Sequence, residues 1–182
     1  MVKTRCCIVG GGPAGMMLGF LLARNGVDVV VLEKHGDFLR DFRGDTIHPS
    51  TLELMKELGL LEEFLRIPHQ IVERIGIAIG GQFWPMADFT HLPTTCKYIA
   101  LMPQWDFLDF IAEKGRTYSN FHLHMNTKAT ELIVENDRVV GVRVETKDGV
   151  EDMRADLVIG ADGRHSTVRA KSALELDRKS VV

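Results

Sequence analysis

Residues 5–34 have the sequence RCCIVGGGPAGMMLGFLLARNGVDVVVLEK, and this stretch decides the fold. A short apolar run ends at a glycine cluster, residues 13–24 have helical apolar spacing, and a β-branched run follows over residues 27–33. The pattern predicts a strand, a helix and a buried second strand within about 30 residues, which is a βαβ unit with a right-handed crossover. We therefore predict an α/β fold of the Rossmann type.

The turn between the first strand and the helix has the sequence GGGPAG, which contains the pattern G-x-G-x-x-G. In such a turn Gly10 permits a tight exit from the strand, Gly12 lets phosphates approach the backbone, and Gly15 lets the helix pack closely. The free N–H groups and the dipole of the helix start then face a pyrophosphate. The predicted dinucleotide-binding residues of the turn are Gly10, Gly12, Pro13, Ala14 and Gly15.

An acidic residue stands at the end of the second predicted strand. The carboxylate of Glu33 can accept both ribose hydroxyls of an adenosine, and it would repel a 2′-phosphate. The primary nucleotide is therefore predicted to be FAD or NAD, and Glu33 alone does not separate the two. We assign the neighbouring Lys34 to the same site.

The rest of the chain adds helices, a hairpin and a β-meander to this unit. The segment STLE at residues 50–53 predicts a capping box for a helix that ends at Gly59. The glycine pair at residues 80–81 predicts a hairpin turn. Strands are predicted at 71–79, 82–86, 121–125, 129–135, 138–146, 150–154 and 156–159, and an amphipathic helix at 104–118.

Composition narrows the function classes. The chain has 182 residues and a net charge of −3, which gives no long-range attraction to nucleic acid or to acidic membranes. No apolar run approaches the roughly 20 residues that a membrane-spanning helix needs. Three cysteines, Cys6, Cys7 and Cys96, suggest a reducing cytoplasm without a disulfide framework. We expect a cytoplasmic protein with neither a nucleic-acid nor a membrane partner, and the oligomeric state stays open.

Three further segments extend the pattern beyond the glycine turn. The loop at residues 43–52 has the sequence RGDTIHPSTL, Gln104 opens a predicted helix, and residues 156–169 have the sequence DLVIGADGRHSTVR. With the glycine turn they resemble, in matching order from about residue 4 to residue 169, the FAD-dependent monooxygenases of the p-hydroxybenzoate hydroxylase type, which are aromatic-ring hydroxylases.

The resemblance implies roles for three residues. Arg43 matches an arginine that contacts the flavin side of FAD, and Gln104 matches a glutamine that reaches its ribityl or phosphate region. Asp162, in the Asp-Gly pair, matches a position that serves FAD and NAD(P)H. The cofactor implied is FAD, with NAD(P)H as the electron donor.

The resemblance also implies a division of the chain. Residues 1–70 and 98–170 would form a Rossmann-like FAD-binding domain, made of the βαβ unit and a β-meander. Residues 71–97 would begin an inserted substrate-domain sheet, and residues 171–182 would be a truncated tail. The family's second flavin fingerprint, a Gly-Asp before an Ala-His-type helix, has no counterpart here, so we expect a fragment that is inactive alone and binds FAD weakly.

The chemistry implied belongs to the cofactor: NAD(P)H reduces FAD, and the reduced flavin uses dioxygen to insert one oxygen atom into an aromatic or similar electron-rich substrate. We therefore assign no catalytic side chain in this chain. We assign no metal ligand either, because His122 and His124 have no companion ligands of clear spacing. Two alternatives remain open: a non-catalytic nucleotide-binding remnant, and another FAD oxidoreductase or a halogenase of the same fold.

Overall fold

The computed structural model describes residues 2–39 and 44–174. Two compact units are present, one made of Met1–Phe38 with Ile111–Val182 and the other of Leu39–Phe110. In chain order the elements are β1 Val2–Val9, α1 Pro13–Arg24, β2 Val29–Leu32, β3 Thr46–Ile47, α2 Pro49–Glu57, α3 Leu61–Phe64, β4 Gln70–Val72, β5 Arg74–Ile79, β6 Gln82–Asp88, β7 Ile99–Leu101, α4 Gln104–Arg116, β8 Phe121–His124, β9 Lys128–Glu135, β10 Arg138–Thr146, β11 Gly149–Gly160 and α5 Thr167–Lys171.

The first unit is built on a six-stranded sheet with the strand order β8-β2-β1-β11-β10-β9. Strands β8, β2, β1 and β11 are parallel to their neighbours in that group, whereas β9, β10 and β11 form an antiparallel meander. All four residues of β2 are buried, as expected of a parallel strand covered on both faces. The predicted α/β fold, a βαβ unit with a β-meander, is confirmed.

Strand β11 joins the two parts of this sheet. Met153 is paired with Val142 of the antiparallel neighbour β10 and with Val2 of the parallel neighbour β1. We predicted two strands here, at 150–154 and 156–159, and that was wrong, because one strand passes from antiparallel to parallel pairing without a turn. One hydrophobic cluster consequently unites both parts of the sheet; it contains Cys7, Val9, Val30, Leu32, Ala129, Val142, Val144, Met153 and Ala155.

Helix α1 packs closely on the parallel strands. A methyl group on Gly19 would lie 2.5 Å from Cγ2 of Val31, so the helix axis approaches β2 more closely than a larger residue would permit. At the next residue, the Phe20 ring meets the Tyr118 ring edge-on, with 6.0 Å between their centroids. The predicted helix at 13–24 has the bounds that the structure gives, with Pro13 first and Asn25 as the C-cap.

The second unit contains a three-stranded sheet of order β3-β7-β4 and a two-stranded ribbon of β5 and β6. We predicted one strand at 71–79, and the structure divides it at Glu73 into β4 and β5. The two pieces separate because β4 pairs with β7 whereas β5 pairs with β6, so they belong to different sheets. The core of this unit includes Phe64, whose ring meets those of Phe107 and Phe110 edge-on.

The start of α2 differs from the predicted capping box. The helix begins at Pro49, after His48, and no side chain caps its first turn. Proline is well suited to the first helical position because its φ is fixed and it has no N–H to satisfy, so Ser50 falls inside the helix. The Glu53 carboxylate is turned instead to the backbone N–H of Thr95, over 2.8 Å.

The β5–β6 ribbon displays apolar side chains. Ile77 and Trp84 are directly paired across its two strands, and Trp84 and Met86 are 56% and 68% exposed. The predicted hairpin turn at residues 80–81 is confirmed, with both glycines at positive φ. In the part of the chain that the structure describes, no helix is long and apolar enough to cross a membrane.

Candidate functional site

The glycine turn lies at the carboxyl ends of three parallel strands. The Gly10 N–H donates to the Leu32 carbonyl at the end of β2, over 2.8 Å. The Ala161 N–H, just beyond β11, donates to the Val9 carbonyl at the end of β1, over 2.7 Å. Open α/β sheets bind their ligands at the carboxyl ends of the strands, and these two bonds place the turn there.

The residue at Gly10 must be a glycine for two reasons. Its φ is +114°, in a region that side-chain-bearing residues rarely adopt. A methyl group there would overlap the Ala161 carbonyl and lie 2.8 Å from Cα of Asp162. The Asp-Gly segment after β11 therefore lies directly against the glycine turn. The family resemblance assigns both segments to one FAD site, and this contact agrees with that assignment.

The amino end of α1 is open toward the ligand side. Gly12 is the N-cap residue and Pro13 the first helical residue, and no side chain caps the helix. The amides of Ala14 and Gly15 lack an acceptor one helical turn back, so they are available to an anion, which the helix dipole also favours. A methyl group on Gly12 would meet no heavy atom within 4 Å, so the backbone here is accessible to a phosphate.

The Glu33 carboxylate is held at the mouth of the turn. Glu33 is 8% exposed, and its Oε2 accepts the Gly11 N–H over 3.1 Å while its Oε1 accepts the His35 N–H over 3.0 Å. A carboxylate has about four acceptor sites in all, which suits a ligand that presents neighbouring hydroxyls. Lys34 follows directly and is exposed.

The backbone around Glu33 is fixed by the strand beside it. The Glu33 N–H donates to the His124 carbonyl, and the Thr127 N–H donates to the Glu33 carbonyl, each over 2.8 Å. The Glu33 carboxylate thus extends from a backbone that is anchored on both sides.

The side chain of His124 is a separate feature of this strand. Burial and then the nearby His122 lower the pKa of His124, against an opposing effect of Glu151, so this imidazole is neutral at pH 7.

The Asp162 side chain is turned to the start of α5. Its Oδ1 accepts the Ser166 hydroxyl over 2.5 Å, and its Oδ2 accepts the Thr167 N–H over 2.6 Å. Ser166 is in turn the N-cap of the helix, and its Oγ accepts the Arg169 N–H over 3.0 Å. The backbone of Asp162 therefore faces the glycine turn while its carboxylate fastens a helix.

Gln104 belongs to the second unit. It is the first residue of α4, as predicted, and its backbone N–H donates to Oδ1 of Asp45 over 3.3 Å. Its side-chain Nε2 lies so close to Gly44 that a methyl group there would overlap it. Arg43, the residue assigned to the flavin side of FAD, lies outside the described residues.

Three residues that matter for this geometry were not among the predicted site residues. Gly11 donates to Glu33, Ser166 links Asp162 to α5, and Gly19 sets the distance of α1 from the sheet. Ser166 had a sequence signal, since a serine directly before a short helix is a common N-cap. Among residues 2–39 and 44–174 no three His, Cys, Asp or Glu side chains are grouped to hold a metal ion.

The arrangement suits an anionic dinucleotide with an adenosine at one end. Open backbone at Gly12 and the unpaired amides of the first α1 turn fit a pyrophosphate, and the anchored Glu33 carboxylate fits a ribose. The first unit thus contains both halves of the predicted adenosine-diphosphate site.

Comparisons with known proteins agree with this geometry. A family model described as an FAD binding domain matches residues 3–182. The chain is 34% identical over 176 residues to 6-methylpretetramide 4-monooxygenase from Streptomyces rimosus, a match that covers 96% of this chain and 42% of that protein. It is 36% identical over 168 residues to rifampicin monooxygenase from Streptomyces venezuelae, covering 89% of this chain and 32% of that protein.

A solved structure agrees as well. The p-nitrophenol 4-monooxygenase from Pseudomonas putida DLL-E4 superimposes with a TM-score of 0.85 at 29% identity, covering 97% of this chain and 45% of that one. The chain therefore spans less than half the length of these relatives. The family match extends over almost the whole chain, and the expected cofactor, FAD, is confirmed with it. This chain belongs to the FAD binding domain family, and these relatives are named as monooxygenases.

Proposed function

We propose that this chain holds FAD for an NAD(P)H-dependent monooxygenase that inserts one oxygen atom into an aromatic or similarly electron-rich substrate. The observation that carries the proposal is the Glu33 carboxylate, which the Gly11 and His35 amides hold at the mouth of the glycine turn. A surface glutamate would not be buried to 8% exposure and doubly hydrogen-bonded at this position.

The chain's own residues bind and orient the cofactor. The backbone of Gly10, Gly12, Pro13, Ala14 and Gly15 receives the pyrophosphate at the start of α1, and Glu33, with Lys34 beside it, receives the adenosine ribose. Following the resemblance, Arg43 serves the flavin side of FAD, Gln104 serves its ribityl or phosphate region, and Asp162 serves FAD and NAD(P)H. When bound, FAD supplies the redox chemistry with dioxygen and NAD(P)H, so no acid, base or nucleophile is assigned to this chain.

We assign functions to the parts of the chain by the family resemblance. We assign residues 1–70 and 98–170 to FAD binding and residues 71–97 to the start of a substrate-binding region. The exposed apolar side chains of the β5–β6 ribbon, among them Ile77, Trp84 and Met86, support that second assignment. An aromatic substrate is in keeping with a relative that is named for p-nitrophenol.

A cytoplasmic location completes the proposal. All three cysteines are free and buried, and none is within a disulfide. Free cysteines are typical of proteins that fold in a reducing compartment, whereas secreted proteins tend to pair them.

Titration of the purified chain with FAD and with ADP tests the proposal. We expect both to bind, because the glycine turn and Glu33 contact only the adenosine-diphosphate part that the two ligands share. Calorimetry measures the affinities, and the visible spectrum of retained flavin gives an independent readout. Failure of both ligands to bind at millimolar concentration would remove the basis of the proposed function, whereas NAD(P)H consumption with bound FAD would show that the chain also supports reduction of the flavin.

A further inference from the structure

A hollow opens on the six-stranded sheet where β10 separates from β11. Arg154 is the last residue of β11 that is paired with β10, opposite Gly141, and β11 then continues beside β1. The hollow has a volume of about 370 Å³, and small-molecule sites begin at about 300 Å³. Three cationic side chains, one anionic side chain and two apolar ones line it: Lys3, Arg138, Arg154, Asp156, Val140 and Ala155.

A β-bulge at the start of β10 shapes this hollow. Val139 and Gly141 are paired with consecutive residues of β9, so Val140 between them is an extra residue of β10. A methyl group on Gly141 would overlap the Met153 carbonyl, so β10 and β11 approach each other closely just before they separate. Bulges redirect side chains and end strand pairing, and they are frequent beside functional sites. Since Val140 lines the hollow, the bulge is part of its wall.

The fold holds cations side by side in the hollow. Lys3 of β1 and Arg154 of β11 are directly paired on neighbouring strands, and like charges at such positions are destabilising. Arg154 is balanced by Glu135, whose Oε1 accepts a hydrogen bond from its Nη1 over 2.6 Å. In the described part of the chain, no ion pair includes Lys3 or Arg138. Two cations of the hollow therefore lack a counter-charge from the protein.

The charge of the hollow differs in sign from that of the whole chain. Even with Asp156 in the lining and Glu135 beside it, cationic groups are in excess here, whereas the chain has a net charge of −3. A guanidinium presents a planar fork of N–H donors that fits phosphate oxygens, and an ammonium adds a compact charge. The chemistry of the hollow thus suits a phosphate group.

We propose that this hollow binds the phosphate or diphosphate group of a small phosphorylated molecule, held by Lys3, Arg138 and the remaining N–H groups of Arg154. A bound phosphate would also offset the repulsion between the paired cations of β1 and β11. The site is separate from the glycine turn, because at about 3.3 Å per residue Gly10 lies roughly 20 Å from Lys3 along β1. The inference goes beyond the proposed function and does not depend on FAD binding.

Titration with inorganic pyrophosphate at constant ionic strength tests the inference, with backbone amide shifts measured by NMR. We expect a saturable shift of the amides of Lys3, Val140 and Arg154. Lys3→Ala and Arg138→Ala should each weaken this binding about tenfold, which corresponds to the loss of one hydrogen bond to a charged group. Lys147→Ala, in the exposed turn between β10 and β11, changes the net charge equally and should leave the affinity unaltered.

A gain of affinity provides a second test, which a misfolded variant could not pass. Asp156→Asn removes the anionic group from the lining, so pyrophosphate should bind several-fold more tightly. An equal loss of affinity in Lys147→Ala and Lys3→Ala would reveal general electrostatic attraction and overturn the inference. Unchanged affinity in both Lys3→Ala and Arg138→Ala would overturn it as well.

The position of the shifted amides separates this inference from the proposed function. Pyrophosphate can also bind at the glycine turn, where the amides of Ala14 and Gly15 report it. Shifts at the glycine turn alone would overturn the inference and leave the proposed function intact. Shifts at the hollow alone would support the inference and remove support from the proposed function.

Discussion

The Gly11 amide donates a hydrogen bond to Oε2 of Glu33 over 3.1 Å, and this bond joins the glycine turn to the acid that follows the second strand. A methyl group on Gly11 would lie 2.8 Å from Cβ of the same glutamate, so the two residues are in direct contact. The two halves of the proposed adenosine-diphosphate site are therefore bonded directly to each other, so we expect a change at the ribose acceptor to affect the pyrophosphate turn.

Replacement of Glu33 tests this coupling. In Glu33→Gln the negative charge is lost. One of the two backbone N–H groups that donate to Glu33, those of Gly11 and His35, then faces an NH₂ group and no longer has an acceptor. Loss of a hydrogen bond to a charged group costs about 1.5–3 kcal/mol, so ADP and FAD should bind roughly 10- to 100-fold more weakly. Calorimetric titration measures the effect. Glu62→Gln, at an exposed position of α3, is the matched control and should bind like the unaltered chain.

Two glycines of the same turn should separate stability from binding. In Gly15→Ala the new methyl group would overlap the Gly10 carbonyl, and a backbone atom moves less easily than a flexible side chain, so the free energy of unfolding should fall by about 3 kcal/mol. In Gly12→Ala the methyl group meets no atom within 4 Å, so stability is retained while the approach of the pyrophosphate is blocked. Urea unfolding measures the free energy of unfolding of both variants, and ADP titration measures their affinities. Equal stability of the two variants would contradict the close approach of Gly15 to Gly10.

The sequence predicted the parts of the fold that depend on local pattern. Helix α1 was predicted with the correct bounds because Pro13 favours the first position and the Asn25-Gly26 pair ends the apolar spacing. The position of Glu33 at the end of β2 followed from the same βαβ pattern. Strands β3 and β7 were not predicted, because each has only two or three residues and is formed by pairing between distant segments, such as Thr46 with Leu101.

The contacts of the site residues were harder to predict than their positions. The Glu33 carboxylate and the Asp162 carboxylate both follow parallel strands of the six-stranded sheet, yet one is bonded to Gly11 and the other to the start of α5. Which donor a carboxylate meets depends on where other elements pass in space, and no spacing in the sequence carries that information. A serine four residues after Asp162 was visible, but its hydroxyl has several acceptors within reach of such a turn.

The thiols under the glycine turn should be unreactive in the folded protein. Burial, with the neighbouring Cys6, raises the pKa of Cys7 to about 12, and burial raises the pKa of Cys6 as well. Cys96 is also buried. Since the thiolate is the reactive form, Ellman's reagent at pH 8 should label none of the three cysteines in the native chain and all three in guanidinium chloride. Rapid labelling of Cys6 or Cys7 under native conditions would show that β1 opens locally, and rapid labelling of Cys96 would show the same for the segment before β7.

Stability should fall on mild acidification because of His124. Burial, then the nearby His122, lowers the pKa of this imidazole in the folded chain, whereas in the unfolded chain it returns to about 6.5. Between the lowered folded pKa and about pH 6.5 the unfolded chain binds more protons, so the free energy of unfolding decreases as the pH falls through that window and levels off below it. His124→Gln should reduce this slope, by a fraction of the roughly 1.4 kcal/mol per pH unit that one proton contributes.

Urea unfolding at pH 7.5 and 5.5 measures the difference, with the exposed His165→Gln as the control. An unaltered slope in His124→Gln would mean that other groups account for the acid sensitivity.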